Sequence, residues 1–353
     1  MGLDDWRSRI NNLDEEILNL LNRRAQAALQ IGELKRQQGL PYFVPERESQ
    51  IVERLVGQNA GPLGSEAIHS VWREILSACL ALEHPLPVAY LGPAATFTHQ
   101  AAVRRFGSAA SFVPARTIAD IFDEVERDRA EYGVVPVENS TEGTVNITLD
   151  RLIESDVIIT GEVTLDITQH LMTRAPELDQ IKTVCSHPQG LAQCRRWLAA
   201  HLPDAAVEEM TSTTAAAARA REDPTVAAIA SEMAARLYDV PILRGGIEDN
   251  PSNSTRFLVI GRRPVAPTGR DKTSILFSMR NEPGVLVSIL QPFAARHLNL
   301  TKIESRPTKR RPWEYVNFVD FEGHRDTDVV RDVLDEIEGR CQLLKILGSY
   351  PAA

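Results

Sequence analysis

Apolar residues recur at Ile10, Leu13, Ile17, Leu20, Ala27 and Ile31, alternately three and four apart, and the same stripe carries Arg24 between Leu20 and Ala27. A lone guanidinium in an apolar seam is costly to bury unless an anion meets it, so an anionic ligand is expected there. Arg7 and Lys35 lie whole heptads from Leu21 and Ala28 and flank the same seam, and Arg47 and Glu48 open the next helical segment. Singly, each reads more readily as a solvated charge or as the partner of a helix carboxylate such as Asp14. As a set, the four cations can converge on one pocket and hold an anion.

Further along, polar loops follow apolar runs at places where a ligand would fit. Gly92 to Gln100 leaves a strand and opens a helix, where free backbone N–H groups and hydroxyls accept carboxylates; a plain helix start capped by Thr98 weighs evenly against that. Val135 to Thr144 passes at once from an apolar strand to the dense polar run Glu138, Asn139, Ser140, Thr141 and Glu142, the position favoured for ligands in α/β sheets. Ser186-His187-Pro188-Gln189 repeats the pattern, with His187 as an acid or, with no metal ligands near it, rather as a structural cap. Asn253-Ser254-Thr255-Arg256-Phe257 runs into a strand and offers hydroxyls and a guanidinium together.

These residues need elements to hold them. Trp6 to Leu34 reads as one long helix ended by Gly39 and Pro41, a second helix runs from Pro45 to about Val56, and a third, capped by Ser65, continues to Glu83. Three helices of such unequal length cannot close a core in one chain, so a homodimer with interleaved helices, or a dimer of dimers, is expected. After the proline linker His84 to Pro87, strands at 88–91, 132–137, 157–167, 182–185 and 226–230 alternate with helical patterns, an α/β block with a mostly parallel sheet. Arg262 to Arg270 is a second linker, and the order after it is βαββαβ, the α+β ferredoxin-like plan. The expected fold class is multidomain: an all-α helical domain over 1–84, an α/β domain over 86–264 and an α+β domain over 272–350.

The chain of 353 residues, 43% hydrophobic and 25% charged, has the composition of a globular protein with two or three domains. Its net charge of -9 argues against a nucleic-acid partner, since phosphate binding draws on clustered Lys and Arg. The charged start MGLDDWRSRI and the lack of any long apolar run point away from a membrane and towards the cytoplasm. Cys79, Cys185, Cys194 and Cys341 form no C-x-x-C pair, so neither a disulfide framework nor a metal site is expected, and no cofactor.

Residues 1 to about 84 resemble the all-helical chorismate mutases, through W-R-S-R-I-N-N-L-D-E-E-I-L-N-L-L-N-R-R, I-G-E-L-K and E-R-E. The resemblance implies that Arg7, Arg24, Arg47 and Lys35 hold the carboxylates and ether oxygen of chorismate, that Glu48 takes its hydroxyl, and that Arg7 comes from the partner chain. Such a pericyclic rearrangement is accelerated by holding the reactive conformer and placing cations where charge develops on the ether oxygen. Glu83 stands where some members carry a donor glutamine. A glutamate donates only when protonated, which a place on its helix's apolar stripe would favour, so the mutase is expected to prefer mildly acidic pH. Val44 replaces an aspartate and Cys79 a serine of some relatives, and Cys79 is counted with the substrate-binding set.

Residues 86 to about 262 look like the prephenate dehydratases, through G-P-A-A-T-F-T, P-V-E-N-S-T-E-G, S-H-P-Q and T-R-F. The resemblance implies two α/β lobes, as in periplasmic binding proteins, closing over prephenate, with loss of water and carbon dioxide to give phenylpyruvate. Thr255 is the expected aid to the departing hydroxyl, Arg256 binds a carboxylate or braces the loop, and Thr96, Glu138, Asn139, Ser140, Thr141, Ser186 and Phe257 complete the substrate set. Ala95 takes the place of a glycine usual before Thr-Phe. The last block, with Asn281 to Val287 and Glu304-Ser305-Arg306-Pro307, resembles the ACT domain attached to these dehydratases. It implies L-phenylalanine held by Gly284, Val285, Leu286, Val287, Glu304, Ser305, Arg306 and Pro307 across a dimer interface. Two alternatives stay open: a dehydratase whose mutase domain is inactive, and a regulator that binds metabolites without turnover.

Overall fold

The computed structural model describes residues 2–280, 282–307 and 315–352; Asn281 of the sensor motif lies outside them. The chain divides into two compact units, Met1–Pro87 with Val103–Ser111, and Val88–Ala102 with Phe112–Ala353. Among the described residues no helix is long and apolar enough to cross a membrane.

The first unit is built on α1 (Leu3–Gln38), α2 (Pro45–Gln58) and α3 (Ser65–Glu83). α1 contains no proline and no glycine before Gly32, and Gly39 in the left-handed conformation (φ 65°) stops it. Pro45 takes the first position of α2, where its missing N–H is no loss. Gly64 is the N-cap of α3, so the expected cap Ser65 is instead its first helical residue. Of α1 only Ala28 and Gly32 are buried; Trp6, Ile10, Leu13, Ile17 and Leu20 are 48% to 59% exposed, an apolar stripe that one chain leaves bare. At Gly32 a Cβ would stand 3.0 Å from the Cβ of Glu83, so glycine brings the end of α3 against α1.

A first lobe, belonging to the second unit apart from Pro87 and Val103–Ser111, comprises β1 (Pro87–Leu91), α4 (Phe97–Phe106), β2 (Ser111–Ala115), α5 (Ile118–Glu126), β3 (Tyr132–Asn139), β4 (Gly143–Thr144), α6 (Asn146–Glu154) and β5 (Ile158–Asp166). A second lobe follows with β6 (His170–Thr173), β7 (Thr183–Ser186), α7 (Pro188–Gln193), α8 (Arg195–His201), β8 (Ala206–Glu209), α9 (Thr213–Glu222), β9 (Val226–Ala230), α10 (Glu232–Tyr238) and β10 (Ile242–Arg244). The chain then returns to the first lobe as β11 (Ser254–Gly261). The first sheet is ordered β2-β1-β3-β11-β5 with β4 on β3, and the second β10-β6-β9-β7-β8. Both are mixed rather than mostly parallel, because β11 comes back antiparallel between β3 and β5, and β6 lies antiparallel to β9 and β10.

One irregularity matters for the site. Thr255 pairs with Asn139 and Arg256 with Glu138, but Phe257 pairs with Pro136, so β3 carries an extra residue at Val137. This bulge brings Pro136 and Asn139, three apart, to one face.

The C-terminal part comprises β12 (Asp271–Ser278), α11 (Val285–Ala295), β13 (Leu300–Pro307), β14 (Tyr315–Glu322), α12 (Asp328–Glu338) and β15 (Leu343–Pro351). Its antiparallel sheet is ordered β13-β14-β12-β15, the ferredoxin-like arrangement. One apolar cluster joins Val135, Leu258 and Ile260 of the first lobe to Leu276, Phe318 and Leu347 of this sheet. β15 passes so near β5 that a Cβ at Gly348 would collide with the Ile159 carbonyl.

Candidate active sites

In the helical unit a cavity of about 550 Å³ brings together Arg24, Lys35, Arg47, Glu48, Cys79 and Glu83 against Ala28, Ile31, Phe43 and Leu80. The helical period delivers Arg24 and Lys35 from α1, the start of α2 supplies Arg47 and Glu48, and the last turns of α3 bring Cys79 and Glu83. Lys35 Nζ donates to the Tyr42 carbonyl at 2.7 Å and pairs with Glu83 at 3.3 Å, so Glu83 faces a cation rather than an apolar wall. Burial pushes the Glu48 carboxyl above the usual carboxylate range, against the opposing pull of Arg105, Arg24 and Lys35. Arg105, in the segment Val103–Ser111 that folds with this unit, pairs with Glu48 at 3.5 Å and lies over the Phe43 ring. Arg7 is outside the cavity, two thirds exposed and paired with Asp4.

In the α/β unit a cavity of about 630 Å³ is lined by Thr96, Asn139, Thr255 and Phe257 of the expected set. It also takes in Arg116, Gln169, His187, Gln189, Ser212 and Thr213, none of which was counted in that set. The hydroxyl run Thr211 to Thr214 before a helix was a readable signal for two of these, since Ser212 caps α9 through the Ala215 N–H. Arg116, alone before the capping box of Thr117 and Asp120, carried none. His187 Nδ1 accepts the Gln189 N–H at 3.3 Å and so caps α7 while lining the cavity.

The hydrogen bonds of Asn139 fix its orientation. Its Oδ1 accepts the backbone N–H groups of Thr141 and Glu142 at 2.9 and 3.0 Å, which only an oxygen can do. Its Nδ2 therefore faces Asn253 Oδ1 at 2.9 Å and Thr255 Oγ1 at 2.8 Å. Thr255 is the acceptor in that bond, and its own O–H proton is left to be donated elsewhere.

Other expected residues fall differently. Thr96, not Thr98, caps the start of α4: its hydroxyl donates to the Leu91 carbonyl and accepts the His99 N–H. Ala95 sits at φ 63°, which explains the glycine usual there; the roughly 1 kcal/mol strain of a left-handed alanine is offset by burying its methyl group, worth about 0.8 kcal/mol. Ser140 and Thr141 lie outside the lining and brace the loop, Ser140 accepting the Ser254 N–H and Thr141 donating to Asn253. Ser186 is fully buried, and its hydroxyl donates to the Ile229 carbonyl at 2.6 Å.

Glu138 and Arg256 occupy the face opposite the cavity, because strand neighbours alternate and both precede or follow a cavity residue by one. Glu138 pairs with Lys302 at 2.7 Å. Arg256 pairs with Glu162 at 2.7 Å and Asp320 at 2.6 Å. Burial opposes its charge, and Tyr350, Asp320 and Glu162 outweigh that and hold it above its usual value.

In the C-terminal part Gly284 caps α11 at φ 81°, Val285 and Leu286 are half-buried and Val287 exposed. Glu304 to Pro307 end the edge strand β13; Ser305 donates to Asn317, and buried Arg306 reaches Asn146 and Asp150 of α6.

Residues 6–84 match the chorismate mutase type II family, 88–265 the prephenate dehydratase family and 273–339 the ACT domain family. A bifunctional chorismate mutase/prephenate dehydratase of Aquifex aeolicus (strain VF5) is 50% identical over 355 residues, covering 99% of this chain and 98% of that one. One of Pseudomonas aeruginosa is 46% identical over 353 residues, covering 98% and 97%. A solved prephenate dehydratase of Arthrobacter aurescens, in complex with L-Phe, matches with TM-score 0.70 at 35% identity over 76% of this chain and 90% of that one. With two catalytic family matches and an ACT domain in one chain, and relatives alike over nearly its full length, the protein belongs to the bifunctional chorismate mutase/prephenate dehydratases.

Proposed function

We propose that the domain over 1–84 converts chorismate to prephenate, that the domain over 86–264 converts prephenate to phenylpyruvate, water and carbon dioxide, and that the domain over 272–350 brings feedback by L-phenylalanine. The enzyme works as a homodimer in the cytoplasm. In the helical cavity Arg24, Arg47 and Lys35 fold chorismate into its reactive conformer, and a cation beside the ether oxygen stabilises the charge that develops as that bond breaks. Glu48 accepts the substrate hydroxyl. Arg7 completes the site from the partner chain, whose helices cover the apolar stripe of α1; that bare stripe supports the dimer.

For the second step the carrying observation is the bond from Asn139 Nδ2 to Thr255 Oγ1. It leaves the Thr255 proton aimed at a ligand and steadies the oxygen as that proton is shared. The carboxylate leaves as carbon dioxide, its electron pair enters the ring, and the ring hydroxyl departs as water with the proton from Thr255, which solvent restores. A neutral threonine is a weak acid, so aromatisation supplies the driving force and the hydrogen bond guides it. Arg116 takes the carboxylate role expected of Arg256. L-Phe lies between Gly284 to Val287 of one chain and Glu304 to Pro307 of another.

The test supplies chorismate to purified protein and follows prephenate and phenylpyruvate with and without L-Phe. Both products, with the second suppressed by L-Phe, are expected. Thr255→Ala should abolish phenylpyruvate formation and spare the mutase; phenylpyruvate at the parent rate would overturn the assignment.

A further inference from the structure

We propose that Arg256 is a positioning residue, and that the pairs Arg256–Asp320 and Glu138–Lys302 carry the state of the ACT sheet to the hydroxyl of Thr255. The inference rests on the function proposed above and concerns how its regulator reaches its chemistry.

Thr255 and Asn139 pair directly across β11 and β3 and share the hydrogen bond that orients the Thr255 proton. Each is one peptide from a charged residue on the opposite face. Arg256 reaches Asp320 of β14 at 2.6 Å and Tyr350 Oη of β15 at 3.1 Å, and Glu138 reaches Lys302 of β13 at 2.7 Å. Both partners in the catalytic bond are thus tied, through their chain neighbours, to strands of the sensor sheet. α6, which follows the cavity residues Glu142 to Val145, is gripped by the same sheet at both ends. Arg306 reaches Asn146 at its start and Asp150 at its middle, and Lys345 Nζ donates to the carbonyls of Leu152 and Ser155 at its end.

Stability does not account for the charge cluster. Arg256, Lys272, Glu162 and Asp320, two cations and two anions, are at most 16% exposed and lie beside an otherwise apolar seam. Well-packed apolar residues would hold such a seam as firmly or better. Short ionic contacts add a steep dependence on geometry: a small slide of one sheet over the other lengthens them and must be relieved by a shift of Arg256 or of its partners. A shift of Arg256 turns the peptide that carries Thr255. Arg306 belongs to the proposed effector segment, so an effector bound there acts directly on this seam.

The experiment uses the full chain with Asp320→Asn, Lys302→Gln and the double variant. Tyr350→Phe, which removes only the hydroxyl on Arg256 and Ser274, serves as the mild variant should the others not fold. Prephenate turnover is measured at zero and saturating L-Phe, L-Phe binding by calorimetry, and mutase rate as the control of folding. Mutase rate and L-Phe affinity should stay within about threefold of the parent, while the factor by which L-Phe slows the dehydratase falls at least about threefold in each single variant and further in the double. Arg256→Lys, which keeps the charge and loses the fork, should lower dehydratase kcat at least about tenfold with KM within threefold. Inhibition unchanged in variants that still bind L-Phe would overturn the coupling, and an unchanged kcat in Arg256→Lys would overturn the positioning role. A parent that neither turns over prephenate nor binds L-Phe would instead refute the proposed function, and the coupling with it.

Discussion

Replacing Asn139 by aspartate tests the orientation of the Thr255 hydroxyl while keeping the shape of the side chain. The oxygen that accepts from Thr141 and Glu142 is retained, but the donor facing Thr255 at 2.8 Å becomes a carboxylate oxygen. The Thr255 proton then turns to that oxygen, because a hydrogen bond to a charged group is worth about 1.5 to 3 kcal/mol. Turning it back towards the leaving hydroxyl costs that amount in the chemical step, so dehydratase kcat should fall between about 10-fold and 150-fold, with KM little changed. The new carboxyl also faces the acceptor oxygens of Asn253 and Ser254, at 2.9 and 3.2 Å from the present nitrogen, which favour its protonated form. As pH falls it regains a proton and can donate again, and the rate should recover by up to about tenfold per pH unit, a rise the parent lacks. Phenylpyruvate release is followed from pH 5 to 9, corrected for the uncatalysed reaction, with mutase rate as the control. A variant as fast as the parent, or one equally slow at every pH, would refute the orientation argument.

Mixing Arg7→Ala and Arg24→Ala chains should restore roughly a quarter of the parent mutase activity, since half of the dimers are mixed and each holds one intact site; no recovery would rule out a shared site. Glu48 is held above its ordinary value of 4.5 mainly by burial, so folding favours its protonated form. Its contribution to stability is fully present below the unfolded value and is lost as pH rises through the raised folded value. The parent's Tm should therefore fall over that window relative to Glu48→Gln, and parallel Tm profiles would contradict this. Ser186→Ala removes a buried hydroxyl donor from the Ile229 carbonyl and should cost about 1 to 3 kcal/mol in denaturant unfolding with dehydratase KM unchanged; a raised KM would return Ser186 to the substrate set.

The amino-acid sequence by itself determined the three blocks of the fold, since helical spacing from Trp6, alternation with glycine and proline punctuation after Pro87, and the βαββαβ order after Arg270 are local patterns. It also marked the polar loops that stand at the ends of β3 and β7 and at the start of β11. Tertiary structure alone decided which side chains of those loops turn to the cavity. Glu138 and Arg256 look as suited to a ligand as Asn139 and Thr255 do, but the face each occupies follows from pairing between β3 and β11, which lie more than a hundred residues apart, and from the bulge at Val137. Partners so far away in the chain leave no mark in local spacing. Arg116 came into the lining, and Arg256 was drawn to Asp320, by the packing of whole sheets, which no short motif records.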